Sequence, residues 1–155
     1  MRITLTIPGV PVPKGRPRFR NQRTKSGAEF VQTYTPAKTR SYTATVRALA
    51  KLAMGRQAPL TGPLHLNLVA FLPIPSSWPK HRQAAARAGL LLPTSKPDLD
   101  NIEKAVTDAC NGVVYGDDAL ICDVVKAKRY AIEPRVVIEV FTIDPRTDSE
   151  ASGGP

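Results

Sequence analysis

The sequence predicts one small α+β domain, in which helices pack on one face of a mixed β-sheet. A length of 155 residues suits a single domain that can bury a core of its own. Alternating strand patterns are intermixed with segments of helical periodicity, and two strand patterns follow one another near the C-terminus. The composition, with 42% hydrophobic and 23% charged residues, is typical of a soluble globular protein.

The first elements are a strand, a basic stretch and a second strand. RITLTI at residues 2–7 alternates like a strand, and the breakers PGVPVP end it. KGRPRFRNQRTKSG at residues 14–27 has six cations and no acid. Its Gly, Pro and polar residues predict a basic loop at about residues 13–27, which like-charge repulsion keeps mobile without a partner. EFVQTY at residues 29–34 is predicted to be another short strand.

A helix is predicted at residues 35–55. Thr35 suits the N-cap, Pro36 suits the first helical position and Gly55 suits the stop. Apolar residues that recur at helical spacing form the predicted core stripe of this helix, which consists of Tyr42, Val46, Leu49 and Ala53.

Three more strands are predicted after this helix. GPLHLNLVAFLP at residues 62–73 alternates clearly, and an irregular connection and a short Ala-rich segment of helical composition follow it. The patterns at residues 119–131 and 134–143 are two further strands, which we expect to pair antiparallel across the short connection between them. The predicted domain covers residues 1–143, and residues 144–155 are expected to be a disordered tail.

The positive charge is concentrated in the first third of the chain. Residues 1–60 hold 12 Lys and Arg residues and one acid, a balance of +11, whereas residues 61–155 have a balance of −2. This asymmetry predicts a polyanionic partner. Nucleic acid is favoured over a membrane surface, because no basic helix with a large apolar face accompanies the charge. The candidate DNA-binding residues are Lys14, Arg16, Arg18, Arg20, Arg23 and Lys25.

The sequence contains no predicted membrane or export segment. No run approaches the roughly 18 consecutive apolar residues of a membrane span. The N-terminal residues alternate like a strand and lack the long apolar region of a signal peptide. The expected location is therefore the cytoplasm, with no membrane partner.

The acids are concentrated between residues 98 and 118, a segment that holds six of the 13 acids of the chain. Apolar spacings of three and four residues predict a helix whose core stripe is Leu99, Ile102, Val106, Ala109 and Val113. With Asp98 at the helix start, the predicted polar face carries Asp100, Lys104, Thr107 and Asn111. The connection VVYGDD then carries Asp117 and Asp118, which we expect to return to the start of this helix.

Each of these acids has an ordinary structural explanation when it is taken alone. Asp98 suits a helix N-terminus, and Asp100 with Lys104 is an ordinary i,i+4 surface pair. GDD is a common turn. Taken together, however, four Asp residues that flank one short helix in a basic protein favour a divalent metal such as Mg²⁺, because hard cations take oxygen ligands.

Two other kinds of acidic site are less suitable. An EF-hand does not fit, because Ile102, Glu103 and Ala109 occupy positions that need an oxygen ligand, Gly and Glu. An Asp-X-Asp glycosyltransferase site is possible from DLD alone, but it leaves the basic stretch unexplained.

Carboxylates with Mg²⁺ beside a polyanion-binding surface predict phosphodiester hydrolysis. The metal would activate water, orient the scissile phosphate and stabilise charge on the attacking and leaving oxygens. Lys104 would place a further cation against the reacting phosphate. The basic stretch would follow the DNA backbone and supply affinity with little base readout. The alternative is a non-enzymatic nucleic-acid-binding module whose acids serve only as caps and surface pairs.

The acidic segment also carries a family resemblance. KPDLDNIEKAVTDACNGVVYGDDALI at residues 96–121 resembles the signature of the RusA-type Holliday junction resolvases, many of which are carried by phages and prophages. IPGVPVPKGRPRF, YTPAKTRSY and KAKRY are similar to one branch of the family, so the resemblance spans roughly residues 3–143. It implies a homodimeric endonuclease that cuts four-way DNA junctions in recombination and repair.

The resemblance also implies roles for individual residues. The implied catalytic and metal-binding residues are Asp98, Asp100, Lys104 and Asp118, with Asp117 as a weaker metal ligand. Mg²⁺ is the implied cofactor, Mn²⁺ is expected to substitute for it, and no small-molecule cofactor is expected. A two-fold dimer would present two identical sites to a junction of approximate two-fold symmetry. Many members have Gln where this chain has Leu120, so the role of that Gln is missing or reassigned here.

Overall fold

The computed structural model describes residues 1–15 and 18–146, and for Arg18 the backbone alone. The described chain is an α+β domain, as the sequence predicts, with a four-stranded mixed sheet and a separate two-stranded sheet. The strands are β1 (Arg2–Pro8), β2 (Arg18–Arg23), β3 (Glu29–Tyr34), β4 (Leu64–Pro73), β5 (Ile121–Ala131) and β6 (Arg135–Thr142). The helices are α1 (Ala37–Met54), α2 (Lys80–Arg87) and α3 (Leu99–Cys110), and a 3₁₀ turn spans Asp118–Leu120.

The main sheet has the strand order β1-β6-β4-β5. The prediction that the last two strands pair with each other is wrong, because β4 lies between them, parallel to β5 and antiparallel to β6. Residues 132–134 connect β5 to β6, and they can cross one intervening strand because neighbouring strands are about 4.8 Å apart. In this central position β4 pairs its backbone groups on both sides, which a buried strand needs.

One face of the main sheet is buried. Alternate residues of β1, β4 and β6 are buried, and the register places Ile3, Val140 and Leu66 side by side on this face. Helices α1 and α3 pack on the same face and complete a single core. The predicted arrangement of helices on one face of a mixed sheet is therefore confirmed for α1 and α3.

Helix α1 differs from its prediction at both the start and the core stripe. It begins at Ala37 with Pro36 in the N-cap position, one residue later than predicted, and it ends at Gly55 as predicted. The buried residues are Tyr42, Val46, Ala50 and Met54, whereas Leu49 is half-buried and Ala53 is exposed. The buried residues are spaced four apart throughout, whereas the predicted stripe had spacings of three and four. Both spacings fit the helical period of 3.6 residues.

Part of the basic stretch is a β-strand, β2 at Arg18–Arg23, so the prediction of a loop is wrong for these residues. β2 pairs antiparallel with β3, and the turn between them contains a hydrogen bond of 2.8 Å from the Thr24 backbone N–H to the Ala28 carbonyl. Gly27 supplies the positive φ of 87° that this turn needs. Alternate side chains of a strand point to opposite faces, which places Arg23 on the face opposite to Arg20. We call β2, β3 and their turn the ribbon.

Parts of two predictions lie outside the described residues. These are Arg16, one of the candidate DNA-binding cations, and residues 147–155 of the predicted tail. Within the described part of that tail, Asp144 accepts a hydrogen bond of 3.0 Å from the Arg146 backbone N–H. None of the helices that the structure describes is long and apolar enough to cross a membrane.

Candidate active site

Helix α3 is the platform of the candidate site. It begins after Asp98 and ends before Gly112, as the sequence predicts. Ile102 and Val106 are fully buried, which fixes the opposite face of the helix toward solvent. Thr107 was expected on that polar face but is only 6% exposed, and its hydroxyl donates to the Glu103 carbonyl at 2.9 Å. A satisfied hydroxyl can be buried at little cost, so periodicity alone misplaces it.

The connection after α3 folds back onto the helix. Tyr115 is buried, and its hydroxyl donates to the Thr107 carbonyl at 2.9 Å. The Asp118 backbone N–H donates to the Asn111 side-chain oxygen at 2.9 Å, which holds the 3₁₀ turn beside the end of α3. The side chain of Asp118 consequently lies next to Asp108 of the helix.

A cleft of about 280 Å³ forms where α3, the 3₁₀ turn and β5 meet. Its lining residues are Asp100, Glu103, Lys104, Thr107, Asp118 and Lys126. The expected return of the acidic pair to the helix is therefore seen for Asp118, which shares the cleft with Asp100. Asp98 instead lines a neighbouring groove together with Lys14, Lys96 and Asn101. Within residues 1–15 and 18–146, no three His, Cys, Asp or Glu side chains form a metal-binding group.

Lysines of the chain neutralise part of this acidic cluster. Lys126 of β5 donates to Asp100 at 2.5 Å and also to Glu103, and these two hydrogen bonds raise the pKa of Lys126. The i,i+4 pair expected between Asp100 and Lys104 is absent from the described ion pairs, since Lys104 lies 3.6 Å from Asp108 instead. Sequence analysis missed Lys126, because the pairing of β5 with β4 decides that this residue faces α3.

Asp108 and Asp118 are neighbours with opposite pKa shifts. Burial works to raise the pKa of Asp108, but the hydrogen bond and charge of Lys14, together with the charge of Lys104, hold it below its ordinary value. The pKa of Asp118 is raised, first by burial and then by hydrogen bonding to Asp117 and the negative charge of Asp108. Asp108 is thus a paired structural carboxylate, whereas Asp118 faces other acids.

Three acids of the cluster have no cationic partner among the ion pairs of the described chain: Asp98, Asp117 and Asp118. Asp98 occupies the N-cap position of α3, yet its side chain makes no capping hydrogen bond. Asp117 does cap, because it accepts from the Ala119 backbone N–H at 3.0 Å. The capping explanation therefore holds for Asp117 and fails for Asp98.

A second lysine of β5 positions the start of α3. Lys128 donates to the carbonyls of Ser95 at 2.9 Å and Pro97 at 3.2 Å. Since Lys126 and Lys128 are two residues apart on one strand, they point to the same face. β5 therefore holds both the chain leading into α3 and the acids on its first turns.

A known family matches nearly the whole of this chain. The profile of the family Endodeoxyribonuclease RusA matches residues 8–141. The chain belongs to the RusA family. It is also 36% identical over 140 residues to YqaN of Bacillus subtilis (strain 168), an uncharacterized protein, in an alignment that covers 89% of this chain and 94% of YqaN. The RusA match includes the cleft, the ribbon, β4, β5 and all but the last residue of β6, and the family is one of endodeoxyribonucleases.

Leu120 is the residue at which the sequence was expected to depart from the family resemblance. It ends the 3₁₀ turn, is half-buried and packs against the hydrophobic core. Its side chain therefore stabilises the turn that presents Asp118. In this RusA-family chain the position serves packing, and a polar function there would have to come from another residue.

The predicted DNA-binding cations have different surroundings in this RusA-family chain. Lys14 pairs with Asp108, and its backbone N–H donates to the Asn101 carbonyl at 3.0 Å, so it is fixed to α3. Arg23 pairs with Glu29 at 2.9 Å. Arg20 stacks on Tyr34 with 5.0 Å between guanidinium carbon and ring centre. Lys25 lies in the ribbon turn, and the side chains of Arg16 and Arg18 are not among those described.

A second groove, which sequence analysis missed, opens between α1 and α3. It measures about 420 Å³ and is lined by Lys14, Thr35, Thr39, Arg40, Thr43, Ala44, Arg47, Ala105 and Asp108. Arg47 donates to the carbonyls of Ala109 and Asn111 at 3.1 and 2.9 Å, where it satisfies the C-terminal end of α3. The groove extends the positive surface from the ribbon to the candidate site.

Proposed function

We propose that this RusA-family protein is a Mg²⁺-dependent, structure-selective endodeoxyribonuclease that resolves four-way (Holliday) DNA junctions by paired phosphodiester hydrolysis. The observation that carries the proposal is the cleft that Asp100 and Asp118 line together beside Lys104, although 18 residues separate the two acids in sequence. The resemblance described in the sequence analysis implies catalytic roles for these three residues. The corresponding biological role is DNA recombination and repair in the cytoplasm.

The donor set suits a hard divalent cation. Mg²⁺ binds in proteins through one or two carboxylates and completes its shell with water and phosphate oxygens. We assign Asp98, Asp100 and Asp118 as ligands, with Asp117 in support, and we expect Mn²⁺ to substitute. When bound, the metal supplies Lewis-acid activation of water and of the scissile phosphate. The absence of a cationic partner for Asp98 and Asp118 in the described chain supports this assignment.

The lysines of the site have separate tasks in this proposal. Lys104 lines the cleft with 61% of its side chain exposed, so its ammonium group can contact the reacting phosphate and stabilise the charge that develops there. Lys126 is held by Asp100 and Glu103, and it orients the Asp100 carboxylate toward the cleft. Lys14 fixes Asp108, which lies next to Asp118.

Junction resolution requires two cuts in opposed strands. A four-way junction has approximate two-fold symmetry, and a two-fold homodimer would present two identical clefts to it. We therefore propose that the active form is a homodimer. The ribbon and the groove between α1 and α3 supply positive charge for the DNA backbone, which dominates the affinity of nucleic-acid binding.

A non-catalytic DNA-binding module is the second candidate. The observation that favours it is the pairing of Asp100, Glu103 and Asp108 with lysines of the chain, which gives these three acids a structural role. Under this alternative the cluster only stabilises α3 against β5. The two candidates differ in metal dependence and in the effect of removing one unpaired carboxylate.

The deciding experiment uses a synthetic four-way junction and a linear duplex, each labelled on one strand. Both are incubated with wild type, Asp98→Asn and Asp123→Asn, in Mg²⁺ and in EDTA. Asp123 is a matched control because it is an exposed acid of β5 whose position in the register is beside His65, away from the cleft. Gel-shift assays of the same proteins report junction binding separately from cleavage.

We expect paired symmetric nicks in the junction alone, in Mg²⁺ alone, from wild type and Asp123→Asn. Asp98→Asn should bind the junction at least as tightly as wild type, because it lacks one negative charge facing a negative substrate, and it should not cut. Tight binding without cleavage by every protein would establish the non-catalytic module. Full cleavage by Asp98→Asn would remove Asp98 from the proposed metal site.

A further inference from the structure

The ribbon exposes a surface that the other described residues do not cover. Among the described elements, β2 and β3 pair with each other and with no strand of the main sheet. Phe19 and Val31 are 73% and 62% exposed, which is unusual for large apolar side chains in a protein with a well-filled core. A two-stranded hairpin is only marginally stable alone in water. The ribbon therefore has the properties of an element that a partner completes.

The strand register gives the ribbon two different faces. Arg20 lies opposite Gln32, and Gln22 lies opposite Phe30, so these four residues share one face. The intervening residues form the other face, in the opposed pairs Phe19 with Thr33, Asn21 with Val31 and Arg23 with Glu29. We call these the arginine–glutamine face and the opposite face.

The charge of the two faces identifies the partner. On the opposite face, Arg23 is neutralised by Glu29 at 2.9 Å. The arginine–glutamine face has no acid, and its Arg20 is held by stacking on Tyr34. A face with an uncompensated, preoriented guanidinium is complementary to a polyanion. The apolar side chains of the opposite face would suit a second protein chain, so the two faces favour different partners.

We propose that the ribbon enters the DNA major groove and that Arg20, Gln22 and Gln32 on its arginine–glutamine face are the residues that contact base edges. The DNA partner rests on the proposed function, but base reading goes beyond it, since the sequence analysis expected the basic stretch to follow the backbone with little readout. The major groove admits a two-stranded ribbon, and Arg and Gln are the side chains that contact guanine and adenine edges bidentately.

The spacing along the ribbon suits this reading. Residues two apart on one face of a strand are separated by about 6.7 Å, since each residue rises by about 3.3–3.4 Å. Successive units of one DNA strand are about 3.4 Å apart along the helix axis. Arg20 and Gln22 can therefore address base pairs two steps apart, while Gln32 lies across the ribbon from Arg20.

The test uses full-length protein and four-way junctions with randomised base pairs around the crossover. Cleavage in Mg²⁺ under single-turnover conditions, followed by sequencing of cut and uncut molecules, gives a relative rate for every sequence. The variants are Gln32→Ala, Arg20→Lys and the matched control Thr33→Ala. Thr33 is the neighbouring polar residue of β3 and belongs to the opposite face. Circular dichroism and sedimentation check the fold and the oligomeric state of each variant.

We expect wild type and Thr33→Ala to share one sequence preference. Gln32→Ala should reduce discrimination at one base pair by roughly tenfold, which lies within the range for one bidentate contact. Arg20→Lys keeps the charge, so it should keep the salt dependence of binding while it loses discrimination at a second base pair. If Gln32→Ala disrupts the ribbon, the conservative variant Arg20→Lys still tests base reading.

Several results would overturn the inference. Cleavage by wild type without any sequence preference would reject base reading and leave the proposed nuclease intact. Equal changes in Thr33→Ala and Gln32→Ala would mean that neither face is specific. Unchanged preferences together with a lost dimer in Gln32→Ala would assign the ribbon to a second copy of the chain. If wild type does not cut at all, the proposed function fails, and selection of the same library by binding must then yield enriched sequences that Gln32→Ala no longer enriches.

Discussion

The cleft beside α3 and the ribbon carry opposite charges on opposite kinds of support. Two acids of the cleft, Asp100 and Glu103, project from a helix whose other side is buried in the core, and β5 holds them through Lys126. The cations of the ribbon lie on β2 and in the turn, and the described residues of both strands are exposed along most of their length. Packing against the core supports the cleft, whereas the described contacts of the ribbon are its own hydrogen bonds and local side-chain pairs.

This difference matches the demands of the two tasks. A catalytic group must be held within about 0.5 Å of its productive position, which requires a packed support. Contacts to DNA phosphates tolerate adjustment, because the backbone presents a repeating charge. Under the proposed function, the acids stand where the core constrains them, and the basic ribbon stands where it can adapt to DNA.

Removing one carboxylate from the cleft should give the largest effect. Asp118→Asn is expected to lower the single-turnover cleavage rate by roughly 100-fold or more, since even indirect partners of a metal cost about 10–100-fold. Junction affinity should be kept or increased, because one negative charge is removed. The ribbon variant Arg20→Gln should do the reverse, with weaker binding and a near-normal rate at saturating DNA. If both variants lowered the single-turnover cleavage rate equally, the cleft and the ribbon would not have separate tasks.

Removing one apolar side chain from each region should reveal the difference in support. Ile102→Ala truncates a fully buried residue of α3 and should lower the free energy of unfolding by about 2–5 kcal/mol. Phe19→Ala truncates an exposed residue of the ribbon and should change it by less than about 0.5 kcal/mol. Urea denaturation measures both values. A large destabilisation by Phe19→Ala would mean that the ribbon is part of the cooperative fold.

The salt dependence of junction binding should separate free cations from paired ones. Replacing Arg20 and Lys25 by Gln should reduce the slope of log K against log salt by about 0.9 for each DNA phosphate that the variant no longer neutralises. Lys14→Gln should change the slope less, because Lys14 is already paired with Asp108. Binding titrations over a range of NaCl concentrations test this. An equal or larger effect of Lys14→Gln would place that residue on the DNA.

The smallest expected effect is on the acid stability of the cleft. The pKa of Asp108 lies below its ordinary value of 3.8, so its ionised form stabilises the fold above that pH and this contribution disappears as pH falls through the folded pKa. Asp108→Asn should therefore cost stability at neutral pH, by no more than about 1 kcal/mol, and the difference from wild type should shrink below about pH 4.

Asp118 is an internal control, because its ionisation should change the stability of the fold in the opposite direction. Its pKa is raised in the folded protein, so its ionisation costs stability as the pH rises from the ordinary value to the folded value. Asp118→Asn should be at least as stable as wild type at about pH 7. Denaturation curves of both variants between about pH 3 and 7 provide the measurement, and a destabilised Asp118→Asn would mean that this acid is structural.

Much of the site could be predicted from local sequence. The boundaries of α3, its buried stripe and the exposure of Asp100 follow from helical periodicity and from a Gly after its end. The strand β4 follows from the alternation of Leu64, Leu66 and Leu68 with His65 and Asn67. These features depend on neighbours within a few positions, which is the range over which a sequence pattern carries information.

The irregular loop predicted for the basic stretch was wrong because strand formation there depends on a second segment. Its charge and its Pro and Gly residues indicate a loop when they are read alone, but EFVQTY offers a complementary strand across the short turn that Gly27 closes. Whether such a segment forms a strand depends on its pairing with a second segment, and the sequence of one segment alone does not show that pairing. The wrong prediction that β5 pairs with β6 has the same cause, since β4 lies between them and strand order is decided by pairing between distant segments.

By itself, then, the sequence determined the family, the platform helix, the acids proposed for catalysis and the concentration of positive charge near the N-terminus. The tertiary structure alone decided which cations belong to which acids. Lys126 faces Asp100 only because β5 is parallel to β4, and Lys14 reaches Asp108 only because the chain after β1 crosses α3. These pairs join residues 26 and 94 positions apart, and electrostatic partners at such separations are set by packing rather than by any local pattern.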